Sequence, residues 1–330
     1  MSTPNPEVTI VVAPRERFDV AVASLDSIIE HTDLPYELVY VDGGASKDVR
    51  RQLADRCRAH GFTFIEGGAA ITPNEARNLG ARRTSTPWLV FADNDLLVEP
   101  GWLGPLLSCG EETGADAVTP LLFQGSTEAR EIHIAGGYME WSGEAPHRTF
   151  TDEHRHQGRR LPDDSLVLQR EPCDFVEFHC CLVRRQALDA MGGLDEALRS
   201  TREHIDLSLS IAASGGTVWF EPSSWVTYHS PTKIRVADIP YYCRRWSDAR
   251  TSASLAHFCA KWGVDESYAT KYTTKSRRDI VFHPVVEAVR HRAGDRVANL
   301  TRRALRSSER AISNLAFSRA EARRRETAQS

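Results

Sequence analysis

Four apolar runs rich in β-branched residues pace the first third of the chain: VTIVVA (8–13), YELVYVDGG (36–44), FTFIEGG (62–68) and PWLVFADND (87–95). Between them the spacing changes. Val20, Leu25, Ile28 and Ile29 recur at near-helical intervals, and residues 47–59 read as a second helix. A third helix opens at Thr72, with Pro73 at its first position and Glu75 three residues on, the pattern of a capping box. Four rounds of strand and helix predict an α/β fold with a mostly parallel sheet flanked by crossover helices. In such sheets ligands sit beyond the carboxyl ends of the strands.

Polar residues gather at that rim. Pro14, Arg15 and Glu16 follow the first strand, Asp42 ends the second, and Asp93-Asn94-Asp95 end the fourth; Arg77 and Asn78 lie in the helix before it. Two carboxylates two residues apart make a hard-oxygen site for Mg²⁺ or Mn²⁺. Such ions keep water and phosphate oxygens in their shell, so a diphosphate is the implied ligand. Arg77 near a helix N-terminus adds positive charge for it. Asp42 is placed to accept from a base N–H or a ribose hydroxyl.

The second half is less periodic. DAVTPLLF (116–123) and DFVEFHCCLVRR (174–185) read as strands, residues 124–172 as a polar, histidine-rich looped region around short strands, and 217–229 as extended chain. Ser200 and Glu203 predict another capping box, at the head of the helix over 200–216. His204 then falls in the first helical turns, where the macrodipole disfavours the imidazolium, and a neutral imidazole is a competent general base. Glu203 and Asp206 are the other candidates, Asp206 on a different side of the helix. His179, Trp102 and Trp246 are candidate acceptor contacts, with core packing the alternative for each.

Charge divides the chain. Of the net −4, residues 276–330 contribute +7 from 13 Arg and 6 acidic residues, leaving about −11 for the rest. Val281, Val285, Val289, Val297, Leu300 and Ala304 recur at roughly helical spacing in this basic tail, which suggests contact with an anionic membrane surface or self-association, a solvated tail being the alternative. Nothing points to nucleic acid. The seven cysteines have no metal-ligand spacing and read as reduced thiols; with no signal-peptide pattern and no membrane-length apolar run, the expected location is cytoplasmic, peripheral at a membrane if the tail binds one.

Taken in order, VTIVVAPRER, YVDGGAS, NEARNLGA, FADNDLLVEPGWL, CCLVRRQALDAMGGLDE, EHIDLSL and GGTVWFEPSSWVTYH resemble the family 2 glycosyltransferases of the GT-A fold, over about residues 7–232. The resemblance implies a GT-A domain at 1–232, a small helical extension of it at 233–275 and the basic helical tail at 276–330. It implies a nucleotide-diphospho-sugar donor, a divalent metal and transfer to an acceptor glycan or small molecule with inversion. Asp42 would bind the base, Arg77 and Asn78 would line the nucleotide pocket, Asp93 would touch ribose and metal, and Asp95 and His229 would ligate the metal. Residues Glu203 to Asp206 would form the acceptor-side motif. The chain departs from the family at His204, where an aspartate base is usual. A retaining transferase, a nucleotidyltransferase and a non-catalytic sugar- or nucleotide-binding protein are the competing readings.

Overall fold

In the computed structural model, which describes residues 5–68, 71–229, 235–265, 267 and 275–328, the leading runs become β1 (Val8–Ala13), β2 (Tyr36–Asp42), β3 (Thr63–Glu66) and β4 (Trp88–Asp93). They pair in parallel in the order β3-β2-β1-β4, with Ala13 in register with Asp93. Parallel neighbours need long crossovers, here α1 (Ala21–His31), α2 (Lys47–Ala59) and α3 (Pro73–Ala81). Every residue of β1 and β4 is buried, so both sheet faces are covered. Each large apolar side chain sealed there, such as Ile10 or Phe91, contributes about 1.5–3 kcal/mol. The predicted start of α3 holds, with the Thr72 N–H donating to Glu75 Oε2 at 2.8 Å. Gly80 lets α3 lie close on β1, since a Cβ there would stand 2.3 Å from Val11 Cγ1. That close approach brings Arg77 down to the rim.

Beyond β4 come β5 (Leu96–Val98), α4 (Leu103–Thr113), β6 (Ala117–Gln124), β7 (Glu131–Ile134), the hairpin β8–β9 (Gly137–Ser142 and Thr149–His154) and β10 (Glu171–Cys173). Then follow β11 (Cys180–Arg184), α5 (Arg185–Ala190), α6 (Glu203–Ala213) and β12 (Val218–Tyr228). The main sheet runs β10-β12-β6-β11-β4-β1-β2-β3. Strand β11 is antiparallel to both β4 and β6. It therefore starts where β4 ends, with Cys180 opposite Ala92, and the Asp93 N–H donates to the His179 carbonyl at 2.9 Å. One reversed strand thus delivers Glu177 and His179 to the rim of the parallel half.

The second predicted capping box is absent. Helix α6 begins at Glu203, behind Arg202 in the left-handed region (φ 67°), and no side chain caps it. Tertiary contacts take the preceding residues instead: the Ser200 hydroxyl lies 3.2 Å from that of Thr251, and the Arg199 N–H donates to Ser254 Oγ at 2.8 Å. Arg202, in a conformation rare for non-glycine residues, is tied to Asp152 of β9 at 3.2 Å.

Helices α7 (Ile239–Arg245) and α8 (Asp248–Trp262) are built into the main body. Phe258 and Cys259 join the largest apolar cluster, and Tyr241 meets Phe18 edge-on. The basic tail forms α9 (Lys275–Ala328), broken at Gly294, and it packs against α7 and α8 instead of standing apart. Arg310 Nε lies 2.5 Å from Asp248 Oδ2, and the Ser313 hydroxyl donates to the Cys243 carbonyl at 3.5 Å. No helix among the described residues is long and apolar enough to cross a membrane.

Candidate active site

The carboxyl ends of β1 and β4 meet the start of β11 in a buried chamber. Asp93 Oδ1 accepts from Arg77 Nη2 at 2.9 Å, while Asp93 Oδ2 lies 3.1 Å from His179 Nδ1 and 3.3 Å from Arg15 Nη1. Arg77 stacks on the Phe178 ring at 4.0 Å, and His179 stacks on Tyr228 at 3.7 Å. Asn94 holds the loop, its Oδ1 accepting from the Arg15 N–H at 2.6 Å. Asp95 is different. It is fully buried, and neither carboxylate oxygen has a hydrogen-bond partner.

A buried carboxylate with no partner is costly unless it is protonated or meets a cation. Burial, reinforced by the charge of Asp93, pushes the Asp95 carboxyl well above the ordinary range. Burial also raises Asp93, against the opposing pull of Arg15 and Arg77. One ligand atom each from Asp93, Asp95 and His179 falls within 4.8 Å of the others. Two carboxylates and an imidazole are a donor set suited to a divalent transition metal. The group fits the ion implied by the sequence, with His179 in the place expected of His229. The His229 N–H donates to the Asp95 carbonyl at 3.0 Å, but its ring is not in the group and has Arg17, Asp19 and Glu128 as charged neighbours.

Arg245, from α7, completes this side. It is 2% exposed, and its Nε and Nη1 have no hydrogen-bond partner. Its charge acts on Asp93, Asp95 and Arg77, so it belongs to the same chamber. A buried guanidinium with two open donors is a site for an anion. The sequence reading missed it because nothing in CRRW distinguishes one arginine from its neighbour.

On the other side stands Glu177, whose Oε2 lies 3.4 Å from His204 Nε2 and whose Oε1 lies 3.8 Å from His179 Nε2. His133 and His154 close the ring, their imidazoles 5.1 Å apart. Burial alone would raise the Glu177 carboxyl, yet His204, His179, His154 and His133 together hold it well below the usual carboxylate range. Burial lowers His204 from the ordinary histidine value, with Glu177 opposing.

Several expected contacts are spent elsewhere. Asp42 accepts from the Ala45 N–H and from Arg50 Nε, both at 2.9 Å, and so pins the turn after β2. Asn78 donates to the Leu194 carbonyl at 2.8 Å and to Glu196 Oε1 at 2.9 Å, and accepts from the Leu194 N–H at 2.9 Å, which fixes the loop after α5. The Pro14 carbonyl accepts from Tyr241 Oη at 3.1 Å, and Glu16 Oε1 from Trp246 Nε1 at 2.9 Å. Trp246 and Trp102 are 3% and 1% exposed, so neither offers a ring face to a sugar; Trp102 Nε1 donates to Thr32 Oγ1 at 3.1 Å. Asp206 points away from His204, accepting from Lys261 Nζ at 2.9 Å and Trp262 Nε1 at 2.8 Å. Glu203 stays near the chamber, its charge acting on Arg77 and its Oε1 buried without a partner.

The family model for glycosyl transferase family 2 matches residues 9–192, more than half of the chain. The chain belongs to glycosyl transferase family 2. Its relatives include the O-antigen biosynthesis protein RfbC of Myxococcus xanthus, 23% identical over 72% of this chain but only 18% of RfbC. The N-acetylglucosaminyl-diphospho-decaprenol L-rhamnosyltransferase of Mycobacterium tuberculosis is 28% identical over 68% of this chain and 75% of its own length. The crystal structure of GalNAc-T7 with UDP, GalNAc and Mn²⁺ superposes with a TM-score of 0.53 at 15% identity, covering 80% of this chain and 52% of that one. The family 2 chain thus has the GT-A fold, a central sheet flanked by helices, with a C-terminal helix added.

Proposed function

We propose that this family 2 glycosyltransferase moves a sugar from a nucleotide-diphospho-sugar to an acceptor hydroxyl, with inversion, using a divalent cation held by Asp93, Asp95 and His179. The observation that carries the reading is Asp95, a buried carboxylate with no protein partner beside two other potential ligands. Mn²⁺ suits the mixed oxygen and nitrogen set better than Mg²⁺. The cation would neutralise charge growing on the leaving diphosphate. Arg245 offers open donors to the same anion, and Arg15 and Arg77 hold Asp93 in place. His204 takes the acceptor proton, as a neutral imidazole below the ordinary histidine pKa. Glu203 is the alternative base. An inverted anomeric configuration in the product, read by NMR, is expected; a retained one would contradict the scheme.

The acceptor is a growing cell-surface glycan or its lipid-linked precursor, in keeping with the names of the relatives. A peripheral location at the cytoplasmic face of an anionic membrane fits α9. Val297, Leu300, Ile312 and Leu315 are 43–69% exposed, while Ala298, Glu309 and Ser313 face the body of the protein. From helical geometry the exposed four share one face, with Arg296 and Arg303 beside it. Flotation with phosphatidylglycerol vesicles should be lost in a Leu300→Glu, Ile312→Glu variant. A change in oligomeric state instead would mean the stripe joins two copies.

A further inference from the structure

Glu177 has no task in the reaction as set out above, yet it occupies the centre of the acceptor side. It is 5% exposed and bridges two functional histidines, with Oε2 3.4 Å from His204 Nε2 and Oε1 3.8 Å from His179 Nε2. His179 Nδ1 in turn lies 3.1 Å from Asp93 Oδ2. Acidic and imidazole groups therefore alternate, 3.1–3.8 Å apart, from the metal-capable group to the first turn of α6. The fold builds this file deliberately from distant parts: the antiparallel start of β11 supplies Glu177 and His179, and the Arg202–Asp152 tie at 3.2 Å sets the start of α6 against them.

We infer that Glu177 is the positioning residue for His204, facing the imidazole Nε2–H so that Nδ1 is left to receive the acceptor proton. This rests on the reading of His204 as the base. A histidine base works only in the tautomer that its neighbour imposes, and a carboxylate behind it also stabilises the imidazolium that forms. The 3.4 Å contact is longer than a finished hydrogen bond, as catalytic contacts in unliganded sites often are, and it tightens as the ring gains charge. As the acceptor oxygen bonds to the anomeric carbon, the bond from that carbon to the diphosphate oxygen breaks and its electron pair leaves with the diphosphate. The proton passes from the acceptor oxygen to His204 Nδ1.

The other charged groups around His204 do not substitute for Glu177. Arg202 and Glu203 lie in its own turn, His154 comes from β9, and Asp152 of β9 is committed to Arg202. Burial disfavours the imidazolium, and Glu177 is the strongest influence favouring it.

Three variants of the full chain, Glu177→Gln, Glu177→Asp and His204→Ala, test this by Mn²⁺-dependent release of nucleoside diphosphate from UDP- and GDP-sugars. An NMR titration of the His204 imidazole runs alongside. Glu177→Gln should lower kcat roughly 10–100-fold, the usual cost of losing a partner that orients a functional histidine. Its donor KM should be unchanged, and His204 should protonate at lower pH than in the wild type. Glu177→Asp, which keeps the charge at a greater distance, should fall between the two. If His204→Ala loses turnover while Glu177→Gln keeps it with an unmoved His204 titration, the positioning role is wrong and the base stands. Wild-type turnover in both would remove the base and the positioning role together. A raised donor KM with unchanged kcat would assign Glu177 to His179 alone and overturn the inference. Should Glu177→Gln fail to fold by circular dichroism, Glu177→Asp decides on the same readouts, and wild-type behaviour in it overturns the inference.

Discussion

The two sides of the chamber carry opposite kinds of incompleteness. On the donor side Asp95 has no partner for either oxygen, and Arg245 has two nitrogens without one. On the acceptor side the Glu177 carboxylate is ringed by four imidazoles, which favour its ionised form. The first arrangement is unfavourable until a cation and an anion arrive together; in the second the protein's own groups face one another, Glu177 towards His204 and His179. Binding free energy is thus available where the diphosphate sits, and preorganisation where the proton moves.

Substitution should separate the two sides sharply. Asp95→Asn should abolish transfer, a loss of at least about 10³-fold if the cation stabilises the leaving group as proposed. The same change should leave the metal-free protein as stable as the wild type or more so, by about 1–3 kcal/mol, because it removes an unpaired buried charge. Thermal unfolding with chelator present reads both. Loss of stability in Asp95→Asn would mean that the carboxylate has a protein partner.

A smaller effect follows from pH. The Asp95 carboxyl is raised in the folded state, so its contribution is fully present below the unfolded carboxylate value and is lost as pH rises through the folded one. Metal-free protein should therefore gain stability as pH is lowered from neutrality towards the ordinary carboxylate range, and Asp95→Asn should flatten that gain. Glu177 has the reverse sign, its stabilisation being lost only at pH below the ordinary carboxylate range. A wild-type profile indistinguishable from that of Asp95→Asn would contradict the raised carboxyl.

The donor side was largely legible in the sequence because its parts are local. A parallel strand ending in Asp93-Asn94-Asp95 carries its own carboxylates to the rim, and the third helix announces itself by Thr72, Pro73 and Glu75. The acceptor side was legible only in part: His204, Glu203 and His179 were candidates, but Glu177 was not, because its place depends on the direction of β11. The sequence marks 174–185 as a strand, of which the structure keeps only 180–184, and it says nothing of the antiparallel sense that puts His179 beside Asp93. The histidine-rich stretch concealed His133 and His154 for the same reason: hairpin β8–β9 and strand β7 are set by contacts far away in sequence. Asn78, Asp42 and Asp206 show another effect of tertiary context. Each lies at or near the predicted rim, but nearby backbone, arginine or lysine groups satisfy it first. The Ser200 and Glu203 spacing likewise meets the rule for a cap that tertiary contacts displace.

The most direct measurement is calorimetric titration of Mn²⁺, with UDP and then GDP present, into wild type, Asp95→Ala, His179→Ala and His229→Ala. Cation-dependent nucleotide binding should be present in the wild type, absent in Asp95→Ala, and weakened roughly 10–100-fold in His179→Ala, while His229→Ala stays near wild type. Binding retained in Asp95→Ala, or lost in His229→Ala but kept in His179→Ala, would contradict a cation held by Asp93, Asp95 and His179.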